Sequence, residues 1–463
     1  MRKIKLYIFL LMMVLVTIIW IYNAKITNNR AKIYPYNIQK DYIYDFNQTN
    51  AKIVDLKYID GKIKLPKDDH ANKTAFLKVD VEAMFLSKYF QPSIDLKVGE
   101  QSVTQYFEHS AKGIRYINIS SLMAKGKIEV TLKEKYISIN KNTVQLVFFE
   151  NQDLNNKKIL VLAPHPDDAE LAAYGLYSDH NESYIITVTA GDCGILNYNE
   201  IYQDPVWGYL KKGELRTFDS VTVPLLGGIP SEQMLNLGFF CLKLEDMFYD
   251  KSKIVNSLYT KTSDINIYRK QNISSLAKNL SGNSSWNSLV ENLKYLLEKI
   301  KPDIIVTPYP ALDMHPDHKL TTVALIEALK ASGIKDGKLY LYLIHSDFSK
   351  YYPYGNLGGT ISLPPNYDDK IYFDSIYSYS LSSDKQKDKL FALEAMHDLR
   401  LDTEWRFTKN AFRFGIKQIK DDVMGRKNFY FRKFVRSNEL FFVVDINNIY
   451  KNDILKNIEG KLK

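Results

Sequence analysis

Two short stretches concentrate side chains that can bind a metal and move a proton. The first is Pro164-His165-Pro166-Asp167-Asp168-Ala169-Glu170, and the second is His315-Pro316-Asp317-His318. Zinc at a catalytic centre takes three protein ligands from His and carboxylate and keeps one position for water. A His and a carboxylate three residues apart around a tight Pro turn can reach one ion, and a His from a neighbouring strand end completes the set. His165, Asp168 and His318 form that set, for one Zn2+ per chain, and Asp167 and His315 are left for proton handling. His345 ends another apolar run, KLYLYLIH, at a comparable place. The plain alternative for either cluster is an Asx-type turn capping a helix, because Asp and Pro at helix starts do that routinely. Two such clusters at strand ends of one sheet argue for a site instead.

The elements that must position these residues are legible around them. ILVLA runs directly into the first cluster, and DIIVTP lies a few residues before the second. Between them AELAAYGLYS reads as a helix, SYIITVTAG as a strand and SLVENLKYLLEKI as an amphipathic helix; HKLTTVALIEALKAS then follows as a helix. This alternation predicts an α/β fold, a Rossmann-like, mostly parallel sheet with helices on both faces, over residues 151–463. Ligands in such folds bind beyond the carboxyl ends of the strands, where both clusters fall. Pro224 in VTVPLLGG should end or bend its helix.

The preceding region has a different texture. Residues 41–150 carry short β-rich runs such as KIVDLKYI, AFLKVDVEAMF and TVQLVFFE, which predict a small all-β module of sandwich type, either a glycan-binding unit or a spacer. Residues 24–40 are polar and Asn/Lys-rich and read as a linker. Before them, Arg2, Lys3 and Lys5 precede the uncharged run Leu6–Tyr22, at the short end of membrane-spanning length. The sequence then continues NAKITNNR without a small-x-small cleavage site, which favours an uncleaved anchor over residues 1–23. Positive charge on the amino side predicts a cytoplasmic N-terminus and an exported catalytic region on the periplasmic or extracellular face.

Composition is that of a globular chain, with 45% hydrophobic and 25% charged residues. The net charge of +9 is spread along the sequence without a nucleic-acid-binding pattern, so no nucleic-acid partner is expected. Cys193 and Cys241 are too few for a disulfide framework and are read as two buried thiols, with pairing open in an oxidising compartment.

PHPDDAE with a downstream HPDH resembles the PIG-L/LmbE-like deacetylases, over about Lys157 to Asp445. That resemblance implies a zinc enzyme removing N-acetyl groups from GlcNAc-containing glycans or glycolipids. It carries metal binding to His165, Asp168 and His318, the general base to Asp167 and stabilisation of the reacting carbonyl to His315, which Asp317 would orient. TAGDCG, Thr189 to Gly194, takes the place of the family's glycine-containing loop, and GELR places Arg216 as a sugar contact, with His345 a further substrate-binding candidate. KDKLFALEAMHDL resembles the family's late helix, but Asp398-Leu399 replaces its usual Ser-Gln, and Cys241 stands near a position where a carboxylate is common. The competing expectations are a metal-dependent hydrolase of another bond, such as a phosphoester, and a non-catalytic envelope glycan-binding protein.

Overall fold

The computed structural model describes residues 2–66, 72–123, 129–196, 201–349, 351–368, 371–399 and 430–460. Residues 400–429 of the expected catalytic region lie outside the described residues. The chain opens with α1 (Arg2–Ile33), which continues through most of the stretch read as a linker. Its segment Tyr7–Lys25 has a mean hydropathy of 2.1 and is not buried by the rest of the protein, so it is long and apolar enough for a membrane anchor or a signal sequence.

An antiparallel sheet follows, built from β1 (Lys52–Ile59), β2 (Lys62–Lys64), β3 (Lys73–Ala83), β4 (Ser93–Val98), β5 (Gln101–Tyr106), β6 (Lys112–Asn118), β7 (Glu129–Lys135), β8 (Ile137–Ile139) and β9 (Thr143–Glu150). The order is β5-β4-β7-β2-β1-β9-β3-β6, with β8 also on β3. β1 serves both halves: Lys52–Lys57 pair with β9, and Tyr58 and Ile59 pair with β2. Ile94 and Leu132, from one half, share an apolar cluster with Leu77 and Leu146, from the other, so the sheet folds over on itself.

A second sheet contains β10 (Ile159–Ala163), β11 (Ser183–Thr189), β12 (Met234–Phe239), β13 (Ile304–Pro308), β14 (Lys338–Tyr342), β15 (Ser375–Ser380) and β16 (Asn438–Asp445), in the order β12-β11-β10-β13-β14-β16-β15. The first five strands are parallel, and β16 pairs antiparallel with both β14 and β15. The molecule is therefore mixed α/β. A Rossmann-like, mostly parallel description does not fit the whole chain, because its amino-terminal sheet is antiparallel throughout.

Helices α2 (Asp168–Ser178), α3 (Pro205–Thr222), α4 (Leu244–Tyr249), α5 (Trp286–Ile300), α6 (Pro316–Ser332) and α7 (Ser383–Ala395) accompany the second sheet. Every residue of β10 is buried, as an apolar strand covered on both faces requires. Ile159, Val161 and Ala163 join one apolar cluster with Leu171 and Leu176 of α2 and Leu393 of α7. Leu160 and Leu162 point the other way, into a cluster with Leu293 of α5 and Leu325 of α6. Pro224 ends α3 as expected, and a short 3-10 turn follows.

The two sheets share that second cluster. Tyr44, Phe46, Phe76, Tyr116 and Phe149 from the amino-terminal region belong to the same buried group as Phe373 and Phe442. Hydrogen bonds reinforce the contact: Ser378 donates its backbone N–H to Thr74 Oγ1 at 2.8 Å, and Ser362 donates its hydroxyl to the Tyr116 carbonyl at 2.6 Å.

Candidate active site

The chain turns sharply after β10 and enters α2 at Asp168, while α6 begins at Pro316 after the loop that follows β13. Because β10 and β13 are parallel neighbours, their carboxyl ends bring both clusters to one place. Three atoms there form a tight triangle. His165 Nδ1 lies 3.3 Å from Asp168 Oδ2, His318 Nε2 lies 3.1 Å from the same oxygen, and the two ring nitrogens are 3.3 Å apart. Ligand bonds of about 2.0–2.2 Å at tetrahedral angles need donor atoms roughly 3.3–3.6 Å apart, so this spacing fits a small divalent cation. His315 also offers a nitrogen within 4.8 Å of His165 and His318, and His345 does so with Asp168 and His318.

The surroundings carry negative charge that such an ion would balance. Asp168, Asp313 and Asp317 are all buried, and a buried carboxylate without a cation is costly. Asp313 Oδ2 lies 3.0 Å from His318 Nδ1, and its Oδ1 accepts the His315 backbone N–H at 2.9 Å. Asp317 Oδ2 lies 3.1 Å from His165 Nε2 and accepts the Leu242 N–H at 2.7 Å. Each histidine of the triangle thus has its other ring nitrogen on a carboxylate, an arrangement that fixes ring orientation and raises basicity.

Asp317 therefore aims its carboxylate at His165 and not at His315. The reason is local: His315 is the N-cap of α6, and its ring folds back so that Nδ1 accepts the Asp317 backbone N–H at 3.2 Å. An Nδ1 that accepts a hydrogen bond carries no proton, so the neutral ring carries its hydrogen on Nε2. Burial, with neighbouring His165 and His318, pushes His315 down to about 3, which keeps it neutral.

Asp167 occupies the N-cap position of α2 without capping it. Its Oδ1 instead accepts a hydrogen bond from Arg216 Nη2 at 3.0 Å. Burial raises the Asp167 carboxyl above its ordinary range, against the pull of Arg216. A Cβ on Gly191 would lie 2.9 Å from Arg216 Cζ, and Gly191 has a φ of +66°, so glycine lets this loop close over the guanidinium. Arg216 thus meets a site carboxylate directly. The His345 ring centroid is 4.7 Å from that of His318.

Two features were missing from the sequence reading. Asp313 precedes HPDH by two residues, and a carboxylate one turn from a metal-type His was the available signal. Asp192, in TAGDCG, accepts the Cys241 N–H at 2.9 Å and the Ser257 hydroxyl at 2.7 Å. Cys193 and Cys241 are joined in a disulfide, not left as two thiols, because the loops after β11 and β12 run side by side with Cα atoms 5.7 Å apart. Asp398 and Leu399 form a short 3-10 turn with His397, whose Nδ1 lies 2.6 Å from Asp219 Oδ1 on α3.

Residues 160–329 match the family described as PIG-L, GlcNAc-PI de-N-acetylase, so the resemblance carried by PHPDDAE and HPDH is shown over that segment. No curated protein matches the chain. Among solved structures, the A40926 pseudoaglycone deacetylase Dbv21 is 17% identical, covers 63% of this chain and 98% of its own, and has a TM-score of 0.31. GalB, the 4-carboxy-2-hydroxymuconate hydratase from Pseudomonas putida KT2440, is 14% identical over 62% of this chain and 96% of its own, with a TM-score of 0.31. Scores of that size carry no argument about activity.

Proposed function

We propose, with the de-N-acetylase match over residues 160–329 as the premise, that this protein is a zinc-dependent hydrolase removing the N-acetyl group of an amino sugar in an envelope glycan or glycolipid. The observation that carries the reading is the triangle of His165 Nδ1, Asp168 Oδ2 and His318 Nε2, with sides of 3.1–3.3 Å, beside an Asp that neither caps its helix nor joins the triangle. The five parallel strands that end at this place support a ligand crevice of the doubly wound kind.

His165, Asp168 and His318 would hold the ion, with Asp317 and Asp313 fixing the two rings. Zinc so bound supplies Lewis acidity, polarising an acetyl oxygen and lowering the pKa of water from about 15.7 toward roughly 7. Asp167 takes the proton of the attacking water and returns it to the amide nitrogen as that bond breaks. Arg216 holds the Asp167 carboxylate in place and opposes the effect of burial on it. His315, neutral and with its hydrogen on Nε2, donates to the acetyl oxygen as it gains charge, a role worth about 3–4 kcal/mol where one such donor has been removed. His345 lines the same space as a substrate contact. The products are acetate and a free amino sugar. We also read α1 as an uncleaved anchor with the site on the exported side, and residues 41–150 and 151–463 as the β module and the catalytic domain.

Acetate release from N-acetylglucosamine oligomers by the purified full chain tests the proposal. Release that stops with a chelator and returns with zinc is expected; release unaffected by complete metal removal would refute zinc dependence, and no release from any N-acetylated glycan would refute the activity.

A further inference from the structure

The turn from Met84 to Phe90 (MFLSKYF) inverts the usual arrangement of a surface turn. Its polar Ser87 is fully buried, with its carbonyl 2.6 Å from His109 Nδ1 and its hydroxyl oxygen accepting the Ser110 N–H at 3.2 Å. Met84, Phe85, Leu86 and Phe90 are 48–68% exposed. The turn is held firmly from within: Met84 N–H donates to the Tyr136 carbonyl at 2.9 Å, and the Phe90 ring stacks on Tyr136 with centroids 5.0 Å apart. Four large apolar side chains are thus displayed together on a rigid support, and Lys88 lies over the Phe85 ring, its Nζ 4.9 Å from the centroid. Scattered exposed apolar residues need no explanation, but a fixed cluster of them does.

What covers it follows from its position along α1. Tyr89 hydroxyl is hydrogen-bonded to Asn23 Oδ1, near the carboxyl end of the apolar segment Tyr7–Lys25. The 19 residues Tyr7–Lys25 make about 28 Å of helix, close to the roughly 30 Å of a bilayer's hydrocarbon. A spanning α1 therefore puts Asn23 at the membrane surface, with Trp20 and Tyr22 at the interfacial depth such rings favour. The helix reaches the protein body further on, at buried Ile33, whose carbonyl accepts the Ser349 hydroxyl at 3.0 Å. Ile33 lies ten positions beyond Asn23, about 15 Å of helix. The Met84–Phe90 turn reaches back across that interval to the membrane end of the helix.

We propose that Met84–Phe90 is a second membrane contact, seating its apolar side chains in the lipid face from which α1 emerges. Apolar and aromatic residues beside a lysine suit that boundary. Two contacts, one spanning and one interfacial, stop the catalytic region from swivelling on a single helix. The inference rests on reading α1 as a spanning anchor, and its test separates the two.

Full-length protein is placed in phosphatidylcholine vesicles containing chain-nitroxide lipid, with an environment-sensitive fluorophore on one introduced cysteine: Leu15→Cys in the helix, Phe85→Cys or Leu86→Cys in the turn, or Ile273→Cys, exposed and distant in sequence, as control. Quenching and a blue shift at positions 15, 85 and 86, without either at 273, are expected. Quenching at 15 with 85 and 86 behaving like 273 overturns the proposal and leaves the anchor intact. Quenching at none of the four overturns both.

Discussion

His315 and Asp313 sit differently against the His165–Asp168–His318 triangle, and the proposed chemistry gives them different duties. With Nδ1 accepting the Asp317 N–H and burial pushing its pKa down to about 3, His315 favours its neutral form. His315→Gln should therefore lower turnover by roughly 10²–10³ while leaving zinc content and the acid limb of the pH profile unchanged. A shift of that limb in the variant would make His315 a titrating base instead. Asp313→Ala removes the acceptor at His318 Nδ1, so zinc affinity should fall about 10- to 100-fold, read by competition with a chelator; unchanged affinity would reduce Asp313 to a loop brace. That His165, Asp168 and His318 meet was legible in the sequence, because spacing around Pro turns at strand ends limits which atoms can meet. The direction of the Asp317 carboxylate was not, since it depends on how the first turn of α6 faces β10, a tertiary matter.

At the scale of elements, α2 is kinked where Ala173 leaves helical geometry, at φ −143° and ψ 17°. The N–H groups of Gly175 and Leu176, just past the kink, donate at 2.9 Å each to the buried carboxylate of Glu439 on β16. Lys389 on α7 completes the arrangement at 2.7 Å. Glu439→Gln leaves the Lys389 ammonium buried beside a neutral group, and about 3–5 kcal/mol of stability should be lost, measured as a lower denaturant midpoint. A midpoint unchanged from the parent would show that α2 holds its kink without this pair. β10, β11, β13 and β14 followed their apolar pattern closely, because strands buried on both faces leave strong patterns, whereas β12 (Met234–Phe239) was not read as a strand. Nor was β16, since it returns antiparallel after a long excursion that no local pattern announces.

The whole molecule is less modular than its change of texture at residue 151 suggests. Tyr44 stacks parallel to Phe442 with ring centroids 6.4 Å apart, and Phe46 meets Phe373 at 6.1 Å. Alternation of side chains in the amino-terminal strands revealed that one face is apolar, but it could not reveal that part of this surface closes the second sheet's core. A chain beginning at Asn151 would uncover Phe373, Phe442 and Tyr309 and should aggregate, whereas one beginning at Ile33 keeps every contact of the first sheet and should stay soluble and active. Sedimentation and acetate release on both decide this, and a soluble, active chain from Asn151 would make the first sheet an independent module. The Cys193–Cys241 disulfide belongs to this scale too, since it closes a 48-residue separation between two loops of the site wall. Cys241→Ser should cost about 2–4 kcal/mol, seen as a lower thermal midpoint under oxidising conditions but not under reducing ones.

Asp167 and Asp168 are adjacent, and the proposed chemistry gives them different duties, so substituting each tests the account most directly. Asp168→Ala removes a proposed ligand, and zinc content and acetate release should fall together. Asp167→Asn keeps the side chain's shape but cannot accept a proton, so zinc should remain bound while turnover falls by roughly 10²–10⁴. Metal content measured beside acetate-release kinetics on both variants gives the answer. Zinc lost from Asp167→Asn but retained in Asp168→Ala would reverse the assignment, and full activity in both would contradict it.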